Sequence, residues 1–155
     1  MVEQRDPSLA LREASGLDRV DYADCFTAIA PAATDRTPEA WARIAIEGSS
    51  ALGRFLTWQV LCGLHLEPGP DRVAGWVIAE RGGNWIRLAA PSWFLTARIV
   101  VHVDEGELTF ATFVRYDRTF AGPVWRTVSH IHRRAVPGLL RAATVAHDHG
   151  RTGTS

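Results

Sequence analysis

The sequence FAGPVWRTVSHIHRRAVPGLLRAATVA, at residues 120–146, carries the longest helical pattern in the chain. With a rotation of about 100° per residue, most of its apolar side chains fall on one side of a helix and its arginines on the other. The apolar side comprises Val124, Val128, Ile131, Ala135, Leu139, Ala142 and Ala146, flanked by Trp125, Val136 and Ala143. The polar side comprises Arg126, His130, Arg133, Arg134 and Arg141. We therefore expect an amphipathic helix with a broad buried face.

His132 is a polar residue in the middle of the apolar side of this helix. It lies between Val128 and Val136, whereas His130 is expected to point to solvent. Pro137 has no amide hydrogen and its ring displaces a carbonyl of the preceding turn, so it should bend the helix. The pattern thus predicts a bent helix that directs one imidazole into the protein interior.

The composition is typical of one globular domain. The chain has 155 residues, of which 46% are hydrophobic and 22% charged, and this length can bury a substantial core. Seventeen basic residues balance 17 acidic ones, which argues against a nucleic-acid partner. All the basic residues are arginine. Codon bias explains this more simply than recognition of oxyanions, which would require arginines clustered in the sequence.

The cysteines and the hydropathy of the chain indicate a cytoplasmic protein. Cys25 and Cys62 lie in different predicted elements without the spacing of metal ligands, so we expect reduced core thiols. No apolar run reaches the length of a membrane span. Residues 1–16 lack the hydrophobic centre of a signal peptide.

The first half of the chain is predicted to hold one strand and two helices. Residues 1–18 form a loose arm with about one helical turn, and residues 20–30 form a strand. A threonine, a proline and a glutamate at residues 37–39 start a short helix that ends at Gly48. A second helix is expected from Ser49 or Ser50 to about residue 63, so that the two helices form a V.

The second half is predicted to be an antiparallel meander followed by the long helix. The four strands are expected at residues 73–81, 84–90, 94–103 and 107–116, with the pair Gly82-Gly83 as a tight hairpin turn. A sheet with all its helices on one face is an α+β two-layer plan. We expect a flexible arm at residues 1–18, a single domain at 19–147 and a frayed tail at 148–155.

Three segments carry a resemblance to a known family: VDYADCF at residues 20–26, PEAW at 38–41 and PVWRTVSHIHRRAVPGLL at 123–140. They are similar to a bacterial family of unknown function in the START-like, pollen-allergen-like helix-grip superfamily, SRPBCC. The resemblance places the family histidine on His132 and its arginine on Arg133. The five predicted strands depart from the six or seven that are common in the superfamily.

This resemblance implies a curved antiparallel sheet wrapped around the C-terminal helix, with a ligand cavity between them. Superfamily members bind lipids, hormones or polyketides, and some are cofactor-free cyclases, dehydratases or hydrolases. The leading hypothesis is therefore a protein that binds a hydrophobic or amphipathic small molecule and needs no cofactor. The expected ligand-binding residues are Tyr22, Trp41, Leu88, Val101, Phe110, Thr112, Trp125, Val128 and Val136.

An enzyme is the alternative hypothesis. His132 would act as general acid or base with Tyr116 or Asp24 as its partner, in a polyketide cyclase, a dehydratase or an isomerase. The simplest reading of His132 is a core histidine bonded to a carbonyl, to Tyr116 or to Asp24. Should Asp24 meet His132, it would fix the tautomer of the imidazole.

A third hypothesis is an interaction module with a filled core, which forms a homodimer through exposed tryptophans such as Trp58, Trp85 and Trp93. No metal is expected, because His147 and His149 lack a third ligand. No Gly-rich phosphate loop is present. Three arginines alternate onto the wet face of the sheet and are expected to be solvated: Arg87, Arg98 and Arg115.

Overall fold

The computed structural model describes residues 2–48, 62–67 and 69–152. In this part of the chain one antiparallel sheet of seven strands packs against a long C-terminal helix, so the predicted α+β class is confirmed. The strands are β1 (Val2–Gln4), β2 (Tyr22–Ile29), β3 (Arg72–Val73), β4 (Trp76–Arg81), β5 (Trp85–Pro91), β6 (Leu95–Asp104) and β7 (Glu107–Tyr116). The helices are α1 (Leu9–Ala14), α2 (Pro38–Ala42), which continues as a π-helical turn (Arg43–Glu47), and α3 (Ala121–Thr152); a 3-10 turn covers Ala33–Asp35.

The sheet has the strand order β1-β2-β7-β6-β5-β4-β3. Strands β4 to β7 form the predicted meander, and β2 returns to pair with β7 along its whole length, from Tyr22 opposite Val114 to Ile29 opposite Glu107. The long connection between β2 and the meander contains α2, and a second helix was predicted there from Ser49 or Ser50 to about residue 63. Of that second helix, residues 49–61 lie outside the described residues.

The segment predicted as one strand at residues 73–81 is a hairpin instead. Ala74 and Gly75 have positive φ angles of 48° and 90°, and Val73 pairs with Trp76 across them. Positive φ at both central residues is the requirement of a two-residue type I′ turn. The turn splits the segment into β3 and β4, which raises the strand count above the five that were predicted.

Residues 2–18 contain a strand and a short helix and do not form the expected loose arm. β1 pairs with the edge of β2, and α1 begins where Ser8 accepts a hydrogen bond from the Leu11 amide. This N-terminal segment packs Leu11 and its neighbours against a small outer cluster of Cys25, Val100, Ala111 and Phe113. The outer face of the sheet is therefore partly covered, and the prediction of a wet outer face was wrong for this part of it.

The arginines of the outer face are partly covered by the N-terminal segment or bonded to neighbouring residues. Arg87 donates to the carbonyl of Ala14 in α1, and Arg115 donates to Asp18 and Asp117. Burial, and then the charges of Arg87 and Arg115, lower the pKa of Arg98. None of the three is a simply solvated side chain.

Helix α3 covers β1, β2 and β7 on the inner face of the sheet. It continues to Thr152, beyond the predicted end at residue 146, so residues 148–152 are helical rather than frayed. Its buried stripe is Ala121, Trp125, Val128, Ser129, Val136, Leu140 and Ala143. Ile131, expected inside, is 47% exposed. Because small alanines flank the apolar side, the sequence does not determine how the helix is rotated about its axis. Packing against the sheet sets this rotation and places His132 near the centre of the buried stripe.

The main core lies between the inner face of the sheet, α2 and α3. Thr37 caps α2 by accepting a hydrogen bond from the Ala40 amide, and Pro38 follows at the first helical position. Trp41 is fully buried, and its indole donates to the Ala33 carbonyl at 2.8 Å. Within the described residues, none of the helices combines the length and apolar character needed to cross a membrane.

Candidate functional site

Asp24 and His132 meet on the inner face of the sheet. Asp24 of β2 is only 3% exposed, and its Oδ2 lies 3.1 Å from Nε2 of His132. Thr112 Oγ1 lies 3.1 Å from the same nitrogen. Asp24 is directly opposite Thr112 in the β2–β7 register, so the two strands present both oxygens side by side to the imidazole from α3. The contact between Asp24 and His132 that the sequence suggested is therefore present.

The tautomer of His132 follows from this geometry. A carboxylate oxygen can only accept a hydrogen bond from the neutral imidazole, so the hydrogen belongs on Nε2. Nδ1 then carries a lone pair, and it makes no hydrogen bond within the described part of the chain. The imidazole is therefore held by one nitrogen and offers the other as a base or an acceptor.

Tyr22 is the second donor to Asp24. Its hydroxyl donates to Oδ2 at 2.7 Å and accepts a hydrogen bond from Nε of Arg133 at 3.1 Å. Burial, and then the negative charge of Asp24, raise the pKa of Tyr22. Tyr22 is thus a hydrogen-bond donor at any physiological pH and cannot serve as a base.

Trp125, two turns before His132 in α3, contacts both Tyr22 and His132. Its ring meets the edge of Tyr22 at 5.3 Å and tilts against His132 at 5.7 Å, both between ring centroids. Its Nε1 and the Oδ1 of Asp24 are both enclosed by protein and lack a hydrogen-bond partner among the described residues. We refer to Tyr22, Asp24, Thr112, Trp125, His132 and Arg133 as the imidazole cluster.

The other predicted ligand-binding residues lie in the main core. All are buried: Trp41, Leu88, Val101, Phe110, Val128 and Val136. They lie on the inner face of the sheet and on the sides of α2 and α3 that pack against it, around the imidazole cluster. Their burial suits both a packed core and the wall of an enclosed site.

Tyr116 is not brought to the cluster. It lies at the end of β7, four residues beyond Thr112, where its amide donates to Asp21. Within the described residues its side chain has no hydrogen bond or ring contact with Asp24 or His132. It lines an open hollow of about 500 Å³ with Asp21 and Arg118. Thr112 occupies the position beside His132 that Tyr116 was expected to take, and Tyr22 is bonded to Asp24.

Arg133 is the member that residue-by-residue reasoning missed. A helical wheel assigns it to the solvated side of α3, and it is exposed. Its long side chain nevertheless reaches back over the Tyr22 ring, with the guanidinium carbon 5.5 Å from the ring centroid. The adjacent His-Arg pair of the family resemblance was the one signal that pointed to it.

Other candidate groups remain separate from this site. His149 is bonded to the Val145 carbonyl, and the part of the chain that the structure describes holds no group of three or more potential metal ligands. Cys25 and Cys62 are buried free thiols, as predicted. Trp93 is 64% exposed and contacts Phe120, whereas Trp58 lies outside the described residues.

No family model, curated protein or solved structure matches the chain. The geometry of the imidazole cluster is therefore the basis for assigning a function.

Proposed function

We propose that the protein has a START-like helix-grip fold and binds an amphipathic small molecule between the sheet and α3, with the polar end of the ligand at the imidazole cluster. The observation that carries this proposal is the pair of enclosed, unpaired atoms, Asp24 Oδ1 and Trp125 Nε1. Buried polar atoms in native proteins are nearly always paired. Leaving one unpaired costs about 1–3 kcal/mol.

The two atoms have opposite hydrogen-bonding character. The carboxylate oxygen of Asp24 accepts, and the indole nitrogen of Trp125 donates. A hydroxyl group has both capacities, because it can donate to an acceptor such as Asp24 Oδ1 and accept from a donor such as Trp125 Nε1. Nδ1 of His132 offers a further acceptor in the same cluster. A ligand with a hydroxyl at its polar end therefore fits this set of groups.

The apolar body of the ligand would lie among the core residues around the cluster, such as Leu88, Val101 and Phe110. Ligand sites are commonly apolar with a few polar groups that fix orientation. The entrance would lie at His132, whose side chain is 11% exposed. Arg133 covers the neighbouring Tyr22 from the solvent side, so its displacement would open the route.

Calorimetric titration with naphthol and with its methyl ether tests the proposal, because the ether cannot donate a hydrogen bond. We expect naphthol to bind about tenfold more tightly. Replacing Trp125→Phe should weaken the binding of both probes, because the oxygen of either probe can accept from the indole, and Trp93→Phe, at an exposed tryptophan, is the control. Native mass spectrometry of the purified protein should also detect a retained small molecule. Absence of a retained molecule together with no binding of either probe would overturn the proposal.

A second candidate function is cofactor-free acid–base catalysis of the cyclase, dehydratase or isomerase kind. The specific observation in its favour is the 3.1 Å contact between Asp24 Oδ2 and Nε2 of His132, which orients the imidazole and leaves Nδ1 to exchange a proton with a substrate. His132→Ala and Asp24→Asn should then both abolish turnover of a polyketide-like substrate with the circular dichroism unchanged. Turnover that survives both substitutions would exclude this role.

A third candidate is association of two copies through exposed aromatic side chains. Trp93 and Phe120 contact each other, and both are exposed. Light scattering over a dilution series should then show a dimer that Trp93→Ser dissociates. A monomer at every concentration would exclude it.

A further inference from the structure

A cavity of about 420 Å³ lies on the outer face of the sheet, beneath α1. The sheet separates it from the imidazole cluster, because its floor is formed by Cys25, Thr27 and Thr109, whose side chains alternate with those of the inner face. Its volume is within the range of sites that take small organic molecules. The N-terminal segment, which the sequence indicated to be loose, forms its roof.

One side of the cavity is apolar. Leu11 and Ala14 of α1 face it from above, and Trp85 of β5 lines it from the side. The Cys25 thiol adds no charge, because burial raises its pKa to about 11. This part of the lining suits a short aromatic or aliphatic body.

The other side carries an excess of negative charge. Arg5, Asp6 and Glu107 line it, but the guanidinium of Arg5 is already held by Glu3 at 2.9 Å and by Glu107 at 3.3 Å. The carboxylate of Asp6 has no ion pair among the described residues. The nearby side chains of Asn84 and His102 are bonded to each other at 3.0 Å. An anionic ligand would meet these carboxylates, whereas a cation would be attracted by them.

We propose that this cavity binds a small organic cation, an amine on a short apolar body. The ammonium group lies at Asp6 and Glu107, and the body packs against Leu11, Ala14 and the indole of Trp85. The face of the Trp85 ring also attracts a cation, which favours an ammonium group on the body that packs against it. The hydroxyl pair of Thr27 and Thr109, at 2.9 Å on the floor, supplies additional acceptors.

Three matched probes test the charge requirement: phenethylamine, phenylethanol and phenylacetate share one body and differ in the charge of the end group. Binding is followed by NMR through the indole N–H of Trp85 and the methyl groups of Ala10 and Ala14. The amine should bind roughly threefold to tenfold more tightly than the alcohol, and phenylacetate should bind least. Equal affinity for the three probes, or no shift at Trp85, overturns the proposal.

Four variants locate the binding. Glu107→Gln should remove most of the preference for the amine, since Arg5 keeps Glu3 as its partner. Glu105→Gln, which makes the same charge change on the adjacent turn outside the cavity lining, is the matched control and should leave the preference intact. Ala10→Phe, at an exposed position that lines the cavity, should block all three probes. Phenethylamine binding that His132→Ala abolishes would instead place the amine at the imidazole cluster and contradict this site.

Discussion

Asp24 and Thr112 face each other across the β2–β7 pair, and each places an oxygen 3.1 Å from Nε2 of His132. Because they are paired at one register position, two polar residues of the sheet together contact the His132 imidazole of α3. Shifting the pairing by one residue would send one of the two side chains to the outer face. The chemistry of the cluster therefore depends on strand register as much as on residue identity.

The first prediction concerns the hydroxyl of Tyr22. Tyr22→Phe removes the 2.7 Å hydrogen bond to Asp24 and the acceptor for Arg133, while keeping the ring against Trp125. Because Asp24 is a buried carboxylate, we expect the free energy of unfolding to fall by about 1.5–3 kcal/mol. Urea denaturation measures this. Tyr116→Phe is the matched control and should change it by less than about 0.5 kcal/mol. Equal effects of the two substitutions would contradict the assigned role of Tyr22.

The second prediction concerns the tautomer of His132. Nitrogen NMR of the labelled protein should show the hydrogen of the neutral ring on Nε2, because Asp24 Oδ2 accepts it. Asp24→Asn should weaken this preference, since an amide can donate to the imidazole as well as accept. His130, two residues away and exposed, serves as the internal reference. A His132 ring with its hydrogen on Nδ1 would refute the arrangement.

Much of the fold could be predicted from the sequence because its patterns are local. The alternation of apolar and polar residues predicted the meander, and helical periodicity predicted α3. The alanines of α3 did not allow its rotation about the helix axis to be predicted. Periodicity also placed Asp24 and His132 on inward faces. It could not decide between Thr112 and Tyr116 as neighbours of His132, because both lie on the same face of β7 and alternation does not set their level along the strand. That level depends on how β2 pairs with β7, a contact between distant parts of the chain.

The third prediction is a dependence of stability on pH at Glu39. A hydrogen bond from Arg43 at 2.9 Å is the largest cause that lowers the pKa of this carboxyl, and Arg81 adds to it at 3.2 Å. A carboxyl whose pKa is lower in the folded state than in the unfolded chain stabilises the folded protein at pH values above its unfolded pKa. This stabilisation is lost as the pH falls through the pKa of the folded state. Glu39→Gln should therefore cost up to about 1 kcal/mol at neutral pH and nearly nothing in strong acid.

Thermal unfolding from neutral to acidic pH measures this effect. Glu105→Gln is the control, because its side chain has no ion pair among the described residues. A difference between Glu39→Gln and the unsubstituted protein that stays constant down to the most acidic pH would show that the carboxylate charge of Glu39 is not involved.

The fourth prediction concerns the thiols. Burial raises the pKa of Cys25 to about 11 and that of Cys62 to about 12, so both are protonated and slow to react near neutral pH. Cys25 should be modified before Cys62, because it lines the outer cavity. Alkylation followed by peptide mass spectrometry, with unfolded protein as the reference for full reactivity, measures the order. Modification of Cys62 first would contradict it.

The fifth prediction concerns the turn between β3 and β4. Ala74 has a φ of 48°, a conformation that costs a residue with a Cβ about 1–2 kcal/mol and costs glycine little. Ala74→Gly should therefore raise the free energy of unfolding by up to about 1 kcal/mol, after the greater freedom of glycine in the unfolded chain is subtracted. Gly75→Ala should have the opposite sign, because its φ is 90° and a Cβ there would lie 2.7 Å from that of Leu66. Urea denaturation of both variants decides the matter. A loss of stability in Ala74→Gly would mean that the turn is not strained at Ala74, and that the division of this segment into two strands has another cause.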